Sequence, residues 1–391
     1  MNPIPYCLNI HPGESLAEVR EAILRHAVAV KARVSPDAPY PLGLRLSAAA
    51  TEALMSGTAL AAFQTLLTEH GFTVSCVNGF PFGAFHGTAV KTAVYQPDWT
   101  AQERFSYTAS LAAVLAMLLP EGQTGSISTV PLGYRHAPPA PAALFSHPQA
   151  IAITAKLLDT LRRAKGQEIV LALEPEPDCL LENTDDVVTW FENTLLPEGV
   201  RWLTRVQPRQ YTPAEAEAVL RRHIGVCVDT CHFAVAFEDP LAAIKRFERA
   251  GIRVARVQLS AAIRAAVSGD SLERLAAFID PVYLHQTKLR LPDGKIRAWP
   301  DLTPETLAAA RAHSGREIRT HFHVPLFFDG DGALGSTNID LTPAFFAHVR
   351  ERGYPLEIET YTFNVLPPAL RCADVVDSLV REHDWVSARL A

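Results

Sequence analysis

The chain of 391 residues is long enough for one large α/β domain or two ordinary ones, and 48% hydrophobic residues can bury a full core. Its 36 basic and 42 acidic residues give a net charge of −6, which excludes a general attraction to nucleic acid or to an anionic membrane surface. The six cysteines lack the dense spacing of a disulfide framework, which favours reduced thiols.

The start of the sequence lacks a basic segment followed by a long apolar stretch. No uninterrupted apolar run approaches the roughly 20 residues that span a bilayer. We therefore expect a cytoplasmic protein with no membrane insertion and no nucleic-acid partner. The oligomeric state stays open.

Short apolar runs with the character of buried strands alternate with amphipathic stretches along the whole chain. The strand-like runs cover residues 6–11, 42–47, 73–80, 126–131, 168–174, 224–229, 253–259 and 355–360. The helical patterns include residues 16–34, 101–119, 148–164, 212–223, 240–250 and 343–352. Eight strands, each followed by a helix, predict an α/β fold, a closed (β/α)8 barrel. Because no linker or repeat interrupts the pattern, we expect a single domain over residues 1–391.

Two long insertions follow the third and seventh predicted strands, where such barrels place their working loops. The first, residues 79–99, is rich in glycine and aromatic residues. The second, between Gln258 and Glu359, contains a helix, a hairpin with its turn at 292–294, another helix and the segment 318–327.

Four polar side chains end separate strand-like runs in the second half of the chain. Because parallel strands finish at one end of a barrel, the four are expected to meet there. Carboxylate and amide oxygens gathered in this way hold a divalent cation, and we expect one Mn²⁺, Mg²⁺ or Zn²⁺ ion. The predicted metal ligands are Glu174, Asp229, Gln258 and Glu359.

A charged pair is predicted one layer below this cation. Every second side chain of a barrel strand points inward, which places Arg256 and Glu357 inside the barrel on neighbouring strands. An unpaired charge there would be costly, so we predict that the two residues form an ion pair.

Glu174 and Glu359 are also the predicted catalytic residues. Facing each other across the barrel, they would flank a substrate with adjacent oxygens, and either could move a proton beside a carbonyl. This chemistry is aldose–ketose isomerisation or epimerisation of a small polyhydroxy compound. Taken alone, each carboxylate has the simpler interpretation of a surface residue or a helix N-cap; three carboxylates and one amide at four strand ends favour the metal site.

Further polar residues near strand ends or in the insertions are expected to contact substrate: His11, Asn78, His86, His321 and His323. His321 and His323 alternate along an extended segment and project to one side. They therefore bind metal, line the substrate pocket or hydrogen-bond locally. Glu176, which lies between two prolines, is an alternative to Glu174 as a ligand.

The motifs resemble the xylose-isomerase-like TIM barrels, which include sugar and sugar-phosphate isomerases and epimerases and endonuclease IV. In that superfamily a Glu, an Asp with His three residues later, a His or Gln, and a Glu end the fifth to eighth strands. Glu174, Asp229, Gln258 and Glu359 match these positions in order. His232, for which a structural role is the alternative, matches the active-site histidine, and the resemblance implies a catalytic role for it.

A narrower resemblance, to the EboE-type metabolite traffic proteins, covers nearly the whole chain. It rests on residues 8–15, 77–87, 126–131, 173–177, 321–326 and 357–362. It implies a pathway connected with metabolite export rather than a particular reaction.

Two other functions stay open. The first is a metallohydrolase or lyase of the endonuclease IV-like branch, in which an Asp-x-His pair corresponding to His321 and His323 binds zinc. Here His321 stands in place of that Asp, and Gln258 in place of a His, which weakens a three-zinc cluster. The second is a non-catalytic carrier that uses the barrel mouth as a receptor.

Overall fold

A computed structural model describes residues 3–87, 89–137, 143–206 and 210–391. In chain order the strands are β1 (Tyr40–Arg45), β2 (Phe72–Asn78), β3 (Thr124–Thr129), β4 (Glu168–Leu173), β5 (Ile224–Asp229), β6 (Arg253–Leu259), β7 (Ala261–Ala266), β8 (Thr287–Arg290), β9 (Ile296–Trp299), β10 (Glu317–Val324), β11 (Gly335–Ser336) and β12 (Leu356–Ile358).

The α-helices are α1 (Leu16–Ala22), α2 (Val28–Val34), α3 (Ala48–Leu54), α4 (Ala59–Glu69), α5 (Gln102–Leu118), α6 (His147–Lys165), α7 (Thr184–Trp190), α8 (Leu196–Val206), α9 (Pro213–His223), α10 (Thr230–Val235), α11 (Pro240–Arg249), α12 (Gly269–Leu275), α13 (Pro304–Ala310), α14 (Pro343–Arg352) and α15 (Val375–Leu390). Two π-helical segments, Ile23–Ala27 and Phe191–Leu195, join α1 to α2 and α7 to α8.

The barrel wall is a parallel sheet in the order β1-β2-β3-β4-β5-β6-β12. The segment at Tyr6 and Cys7 closes it, because Tyr6 bridges Ile358 and Cys7 bridges Gly43, both in parallel. All eight predicted strand-like runs therefore lie in the wall, and the predicted barrel is confirmed. The first run is the shortest in the structure, since Leu8–Ile10 turns into a 3-10 helix.

Local sequence explains why the helices begin and end where they do. Ser15 and Thr212 form capping boxes with Glu18 and Glu215 at the starts of α1 and α9. Gly166 ends α6 in the left-handed conformation that a residue without Cβ adopts easily. The helices bury their apolar faces against the outside of the strands, in one continuous core.

The second insertion builds a separate antiparallel sheet in the order β11-β7-β10-β8-β9. A single residue, Ser260, separates β6 from β7, so this sheet starts directly at the carboxyl end of the barrel. The predicted hairpin is present as β8 and β9, with Gly294 at a φ of 82° in its turn. Pairing of β10 with β7 then places His321 and His323 above the barrel strands.

None of the helices in the described ranges is both long enough and apolar enough to cross a membrane. The six cysteines, all within those ranges, are unpaired, and five of them are buried.

Candidate functional site

The four predicted metal ligands lie at the carboxyl ends of neighbouring barrel strands. Glu174 and Glu359 follow β4 and β12, Asp229 ends β5, and Gln258 lies near the end of β6. All four are buried, with at most 4% of any of them exposed. In the register of the parallel sheet, Gln258 of β6 lies opposite Asp229 of β5 on one side and opposite Glu357 of β12 on the other.

The predicted ion pair below the strand ends is confirmed. Arg256 Nη1 lies 3.1 Å from Glu357 Oε2, and both side chains are buried. Gly43 makes room for this pair, because a Cβ at that position would overlap Glu357 Oε1. The Gln258 amide joins the same layer: Nε2 donates to Glu357 Oε2 at 3.3 Å, and Oε1 accepts from Cys227 Sγ at 3.1 Å. Gln258 is thus the predicted ligand whose side chain is turned below the strand ends.

The two carboxylate oxygens of Asp229 differ in their hydrogen bonds. Oδ1 caps α10 by accepting from the backbone N–H groups of Cys231 and His232, and it also accepts from Ser260 Oγ at 2.6 Å. Oδ2 has no hydrogen-bond partner among the described residues. One carboxylate oxygen is therefore left for a ligand.

His232 presents an unprotonated nitrogen to the same place. Its Nδ1 donates to the carbonyl of Pro175 at 3.0 Å, which fixes the tautomer. Nε2 lies 3.9 Å from Asp229 Oδ2. Burial, and then the neighbouring His323, lower the pKa of His232 to about 3, so the ring is neutral at neutral pH.

His321 and His323 face each other with their Nε2 atoms 3.1 Å apart. Gln286 Nε2 donates to Tyr95 Oη and to the Pro177 carbonyl, which turns Gln286 Oε1 toward His321 Nδ1 at 2.7 Å. His321 therefore donates through Nδ1.

His323 Nδ1 also faces acceptors, the Glu359 carbonyl at 2.9 Å and Glu359 Oε2 at 2.7 Å. With both Nδ1 atoms donating, two Nε2 lone pairs point at each other, and a proton or a cation must separate them. Burial opposes a charge on His323, but Cys231, Glu359 and Asp229 raise its pKa well above the usual value. Burial and the neighbouring His232 lower the pKa of His321 well below the usual value, so a proton shared by the two rings belongs to His323.

Negative charge accumulates around these histidines. Burial raises the pKa of Glu174 well above its usual value, and Asp229 and Glu359 raise it further. Glu174 Oε2 has no hydrogen-bond partner in the described part of the chain. Burial also raises the pKa of Glu176 to about 8, although Tyr95 Oη donates to its carboxylate at 2.7 Å. The buried cation beneath them, Arg256, is already paired with Glu357.

Several residues at this point form sets whose donor atoms lie within 4.8 Å of one another, as the ligands of one metal ion do. The sets are Asp229, His232 and His323; Glu176, His232 and His321; and Cys231, His321 and His323. Such sets fit a divalent cation of the Mn²⁺ or Zn²⁺ type, which accepts both oxygen and imidazole ligands. Of the four predicted ligands, Asp229 belongs to one of these sets, and Glu174, Gln258 and Glu359 do not.

A small cavity of about 50 Å³ opens above this cluster. Its polar lining residues are Asn9, Asn78, Lys91, Glu174, Glu176, His232, His321 and Glu359. Its apolar and aromatic lining residues are Phe80, Pro81, Phe85, Val90, Val94, Tyr95, Tyr283, Leu284 and Tyr361.

Some of the residues predicted to contact substrate line the cavity, and others do not. Asn78 and His321 line the cavity, and His323 is buried behind His321. His11 stacks on His26 and hydrogen-bonds Tyr6 Oη. His86 bridges Asn9 O and Tyr283 Oη. The predicted roles of these residues in substrate contact stay predictions.

Some residues of the cavity were not predicted from the sequence. Asn9 lines the cavity and donates to Glu359 Oε1. It lies near the end of the first strand-like run, and polar residues at strand ends are candidates for the site. Tyr361 lies two residues after Glu359, on the side of the chain that strand alternation assigns to the cavity. Gln286 and Tyr95 carried no comparable signal, because their positions depend on the fold of the insertions.

No protein-family model and no curated protein matches the chain. Its structure is similar to that of a xylose isomerase-like TIM barrel protein from Mycobacterium smegmatis in complex with magnesium, with 13% identity, 100% of this chain and 98% of that chain covered, and a TM-score of 0.52. This similarity shows the fold alone: the chain folds as a TIM barrel, as predicted.

Two further structures align over comparable lengths at lower TM-scores. The IolI protein with a bound zinc atom is 12% identical, with 99% of this chain and 97% of that chain covered and a TM-score of 0.47. A xylose isomerase domain protein from Alicyclobacillus acidocaldarius is 12% identical, with 100% and 98% covered and a TM-score of 0.46.

Proposed function

We propose that the protein is a metal-dependent enzyme that isomerises or epimerises a small polyhydroxy metabolite. One observation carries the proposal. Buried carboxylates with free oxygens, Glu174 Oε2 and Asp229 Oδ2, lie beside two imidazole nitrogens that face each other at 3.1 Å. Buried carboxylates are costly without a cation; Arg256 is paired with Glu357, and no lysine or arginine of the described residues forms an ion pair with Glu174 or Asp229.

The proposed ligands are drawn from this cluster. Asp229, Glu174 and Glu359 supply oxygens, as the sequence predicts, and His323 and His232 supply nitrogens. When bound, a divalent cation neutralises the cluster and polarises the oxygens of the substrate. Gln258, the fourth predicted ligand, would have to exchange its hydrogen bonds to Cys227 and Glu357 to join them.

Glu174 and Glu359 are the proposed proton-transfer groups. They follow β4 and β12, which β5 and β6 separate, and both line the cavity. The raised pKa of Glu174 suits a group that takes a proton from a carbon beside a carbonyl and returns it. Asn9 and His323 hold Glu359 in place, and His232, held by the Pro175 carbonyl, orients a substrate hydroxyl.

The paired histidines favour a second candidate, a metallohydrolase or lyase that holds more than one metal ion. The His321 and His323 rings belong to donor sets that need not include Glu174. Metal analysis of the protein dialysed against Mn²⁺ or Zn²⁺ separates the two candidates. One ion per chain supports the isomerase, and two or three support the hydrolase.

We also propose that the substrate belongs to an EboE-type metabolite traffic pathway. This assignment rests on sequence motifs alone, those at residues 77–87 and 357–362 among them. Pull-down with the full chain tests this assignment. Co-purification of a metabolite-exporting or prenyl-transferring partner supports it, and a pull-down that recovers neither partner contradicts it.

Hydrogen exchange with solvent tests the reaction itself. We expect the Mn²⁺-loaded protein to incorporate deuterium from D2O beside the carbonyl of at least one sugar in a panel of aldoses and ketoses. Glu174→Gln should lose this exchange. Glu168→Gln is the matched control, since Glu168 begins the same strand at the opposite end of the barrel and pairs with Arg253.

The control should exchange at the wild-type rate. Absence of exchange with every sugar, combined with ligand binding that survives in Glu174→Gln, would favour the non-catalytic carrier.

A further inference from the structure

One wall of the cavity is an aromatic cluster formed by Phe85, Tyr283 and Tyr361. The ring centroids are 5.2 Å apart for Phe85 and Tyr283, 5.2 Å for Phe85 and Tyr361, and 5.0 Å for Tyr283 and Tyr361. With Val90, these rings form an apolar cluster separate from the main core. All four residues line the cavity, so the cluster presents apolar surface to a ligand.

This aromatic wall adjoins the polar cluster directly. Tyr361 follows Glu359 by two residues, and its ring centroid lies 4.7 Å from that of His323. Tyr283 is anchored by its hydroxyl, which donates to His86 Nδ1. A ligand whose oxygens reach Glu174 and Glu359 therefore places its other end against aromatic rings.

The described residues that line the cavity provide no free lysine or arginine side chain that could bind a phosphate group. Lys91 is the one cationic side chain among those lining residues, and Asp301 Oδ2 at 2.6 Å and the Asp280 carbonyl at 2.8 Å already hold its Nζ. A phosphate dianion in this cavity would meet the carboxylates of Glu174, Glu176 and Glu359.

The buried arginines nearby serve the loop instead. Arg45 donates to the carbonyls of Gly13 and Gly83, and Arg104 donates to those of Gly79, Phe80 and Pro97. Neither arginine lines the cavity. Their guanidinium groups hydrogen-bond backbone carbonyls outside the cavity and do not face a ligand.

We infer that the substrate of the proposed reaction is an unphosphorylated polyol that carries an apolar substituent. Its hydroxyl groups face Glu174, Glu359 and Asn78, and its substituent packs on Phe85, Tyr283 and Tyr361. This inference rests on the proposed function for the polyol end and on the aromatic wall for the apolar end.

Matched probes test it with the Mn²⁺-loaded protein. D-xylose, D-glucose and myo-inositol are each titrated calorimetrically in three forms: unsubstituted, as a phosphate monoester, and as a phenyl glycoside or ether. We expect at least one scaffold to bind with the phenyl form about tenfold tighter, and the phosphate ester about tenfold weaker, than the unsubstituted form. A phosphate ester that binds tightest on any scaffold, or a phenyl group that adds no affinity on any of them, overturns the inference.

These outcomes separate the inference from the proposed function. Binding of an unsubstituted polyol with no preference for the phenyl form overturns the inference alone. Binding of no scaffold in any form overturns both.

Variants locate the effect. Phe85→Ala should lose the tenfold preference for the phenyl form over the unsubstituted polyol, and Phe85→Leu should retain part of that preference. Phe105→Ala is the control, because Phe105 packs on Phe145 outside the cavity. Lys91→Met should change the affinities for ester and free polyol equally; a selective loss for the ester would reveal a phosphate site and contradict the inference.

Discussion

The barrel contains two buried charged layers that differ in how their charge is neutralised. In the lower layer, Glu357 pairs with Arg256, and the amide of Gln258 donates to the same carboxylate. In the upper layer, at the strand ends, Glu174 and Asp229 each have an oxygen with no partner among the described residues. The protein neutralises its own charge in the lower layer and leaves the upper layer incomplete.

This difference distinguishes a structural from a functional arrangement of buried charge. Unpaired buried carboxylates destabilise a fold, so a chain keeps them where a ligand completes them. The lower layer holds neighbouring strands together, whereas the upper layer is prepared for a cation. Changes in the two layers should therefore have opposite effects on stability.

The largest expected effect on stability comes from the lower layer. Glu357→Gln leaves the Arg256 guanidinium buried without its counter-charge, so we expect the free energy of unfolding to fall by about 3–5 kcal/mol in a denaturant titration. Asp270→Asn is the control, since the exposed Asp270–Arg274 pair should contribute less than about 1 kcal/mol. A loss in Glu357→Gln no larger than in the control would make the two layers equivalent.

Metal binding to the upper layer should give the next largest effect. With free Mn²⁺ at a hundredfold excess over its dissociation constant, we expect about 2.7 kcal/mol of added stability relative to the protein in chelator. Asp229→Asn should abolish this gain, because it removes the charge of the free Oδ2, while Asp270→Asn should keep it. Thermal unfolding with and without metal measures both, and an equal gain in Asp229→Asn would contradict the assignment.

Glu382, on α15, extends the comparison to a buried carboxyl that is hydrogen-bonded through Oε1 and has no ion-pair partner within the described ranges. It accepts from Leu326 N and Thr360 Oγ1, and burial raises its pKa to about 7. The folded state therefore binds this proton more tightly than the unfolded state, whose carboxyl titrates near its ordinary value of 4.5. The stabilisation that this protonated carboxyl contributes is complete below pH 4.5 and is lost as the pH rises toward 7.

The loss should amount to about 2 kcal/mol between pH 5 and pH 7. We expect Glu382→Gln to remove this share of the pH dependence in urea titrations at the two pH values. Identical pH profiles for the variant and the wild type would show that Glu382 does not titrate in this range.

The smallest effect should come from Glu174→Gln in the metal-free protein. Because repulsion and burial destabilise the Glu174 carboxylate, the neutral amide should raise the free energy of unfolding by about 1 kcal/mol at pH 8. Chemical denaturation in chelator measures the change. A fall in stability as large as that of Glu357→Gln would mean that Glu174 has a protein partner.

The barrel could be predicted from sequence because its strands are short apolar runs, each bounded by helical patterns. The placement of Glu174, Asp229 and Glu359 at the carboxyl ends of barrel strands followed from the strand pattern alone, whereas their binding of one ion stays a prediction. The Arg256–Glu357 pair followed from strand alternation.

Other features depend on contacts that sequence spacing does not determine. The direction of the Gln258 amide is decided by Glu357 and Cys227 on neighbouring strands. The alanine-rich run of β7 favours a helix locally, and it becomes a strand because β10, some fifty residues later, pairs with it. The Nε2 contact of His321 and His323 depends in turn on that sheet.

Anomalous diffraction from crystals soaked in Mn²⁺ tests the central claim most directly. The claim predicts a peak within about 2–2.5 Å of Asp229 Oδ2 and of a nitrogen or oxygen of the facing cluster, among His232, His323, Glu174 and Glu359. A map without a peak at the strand ends, or with manganese bound only elsewhere on the protein, would contradict it.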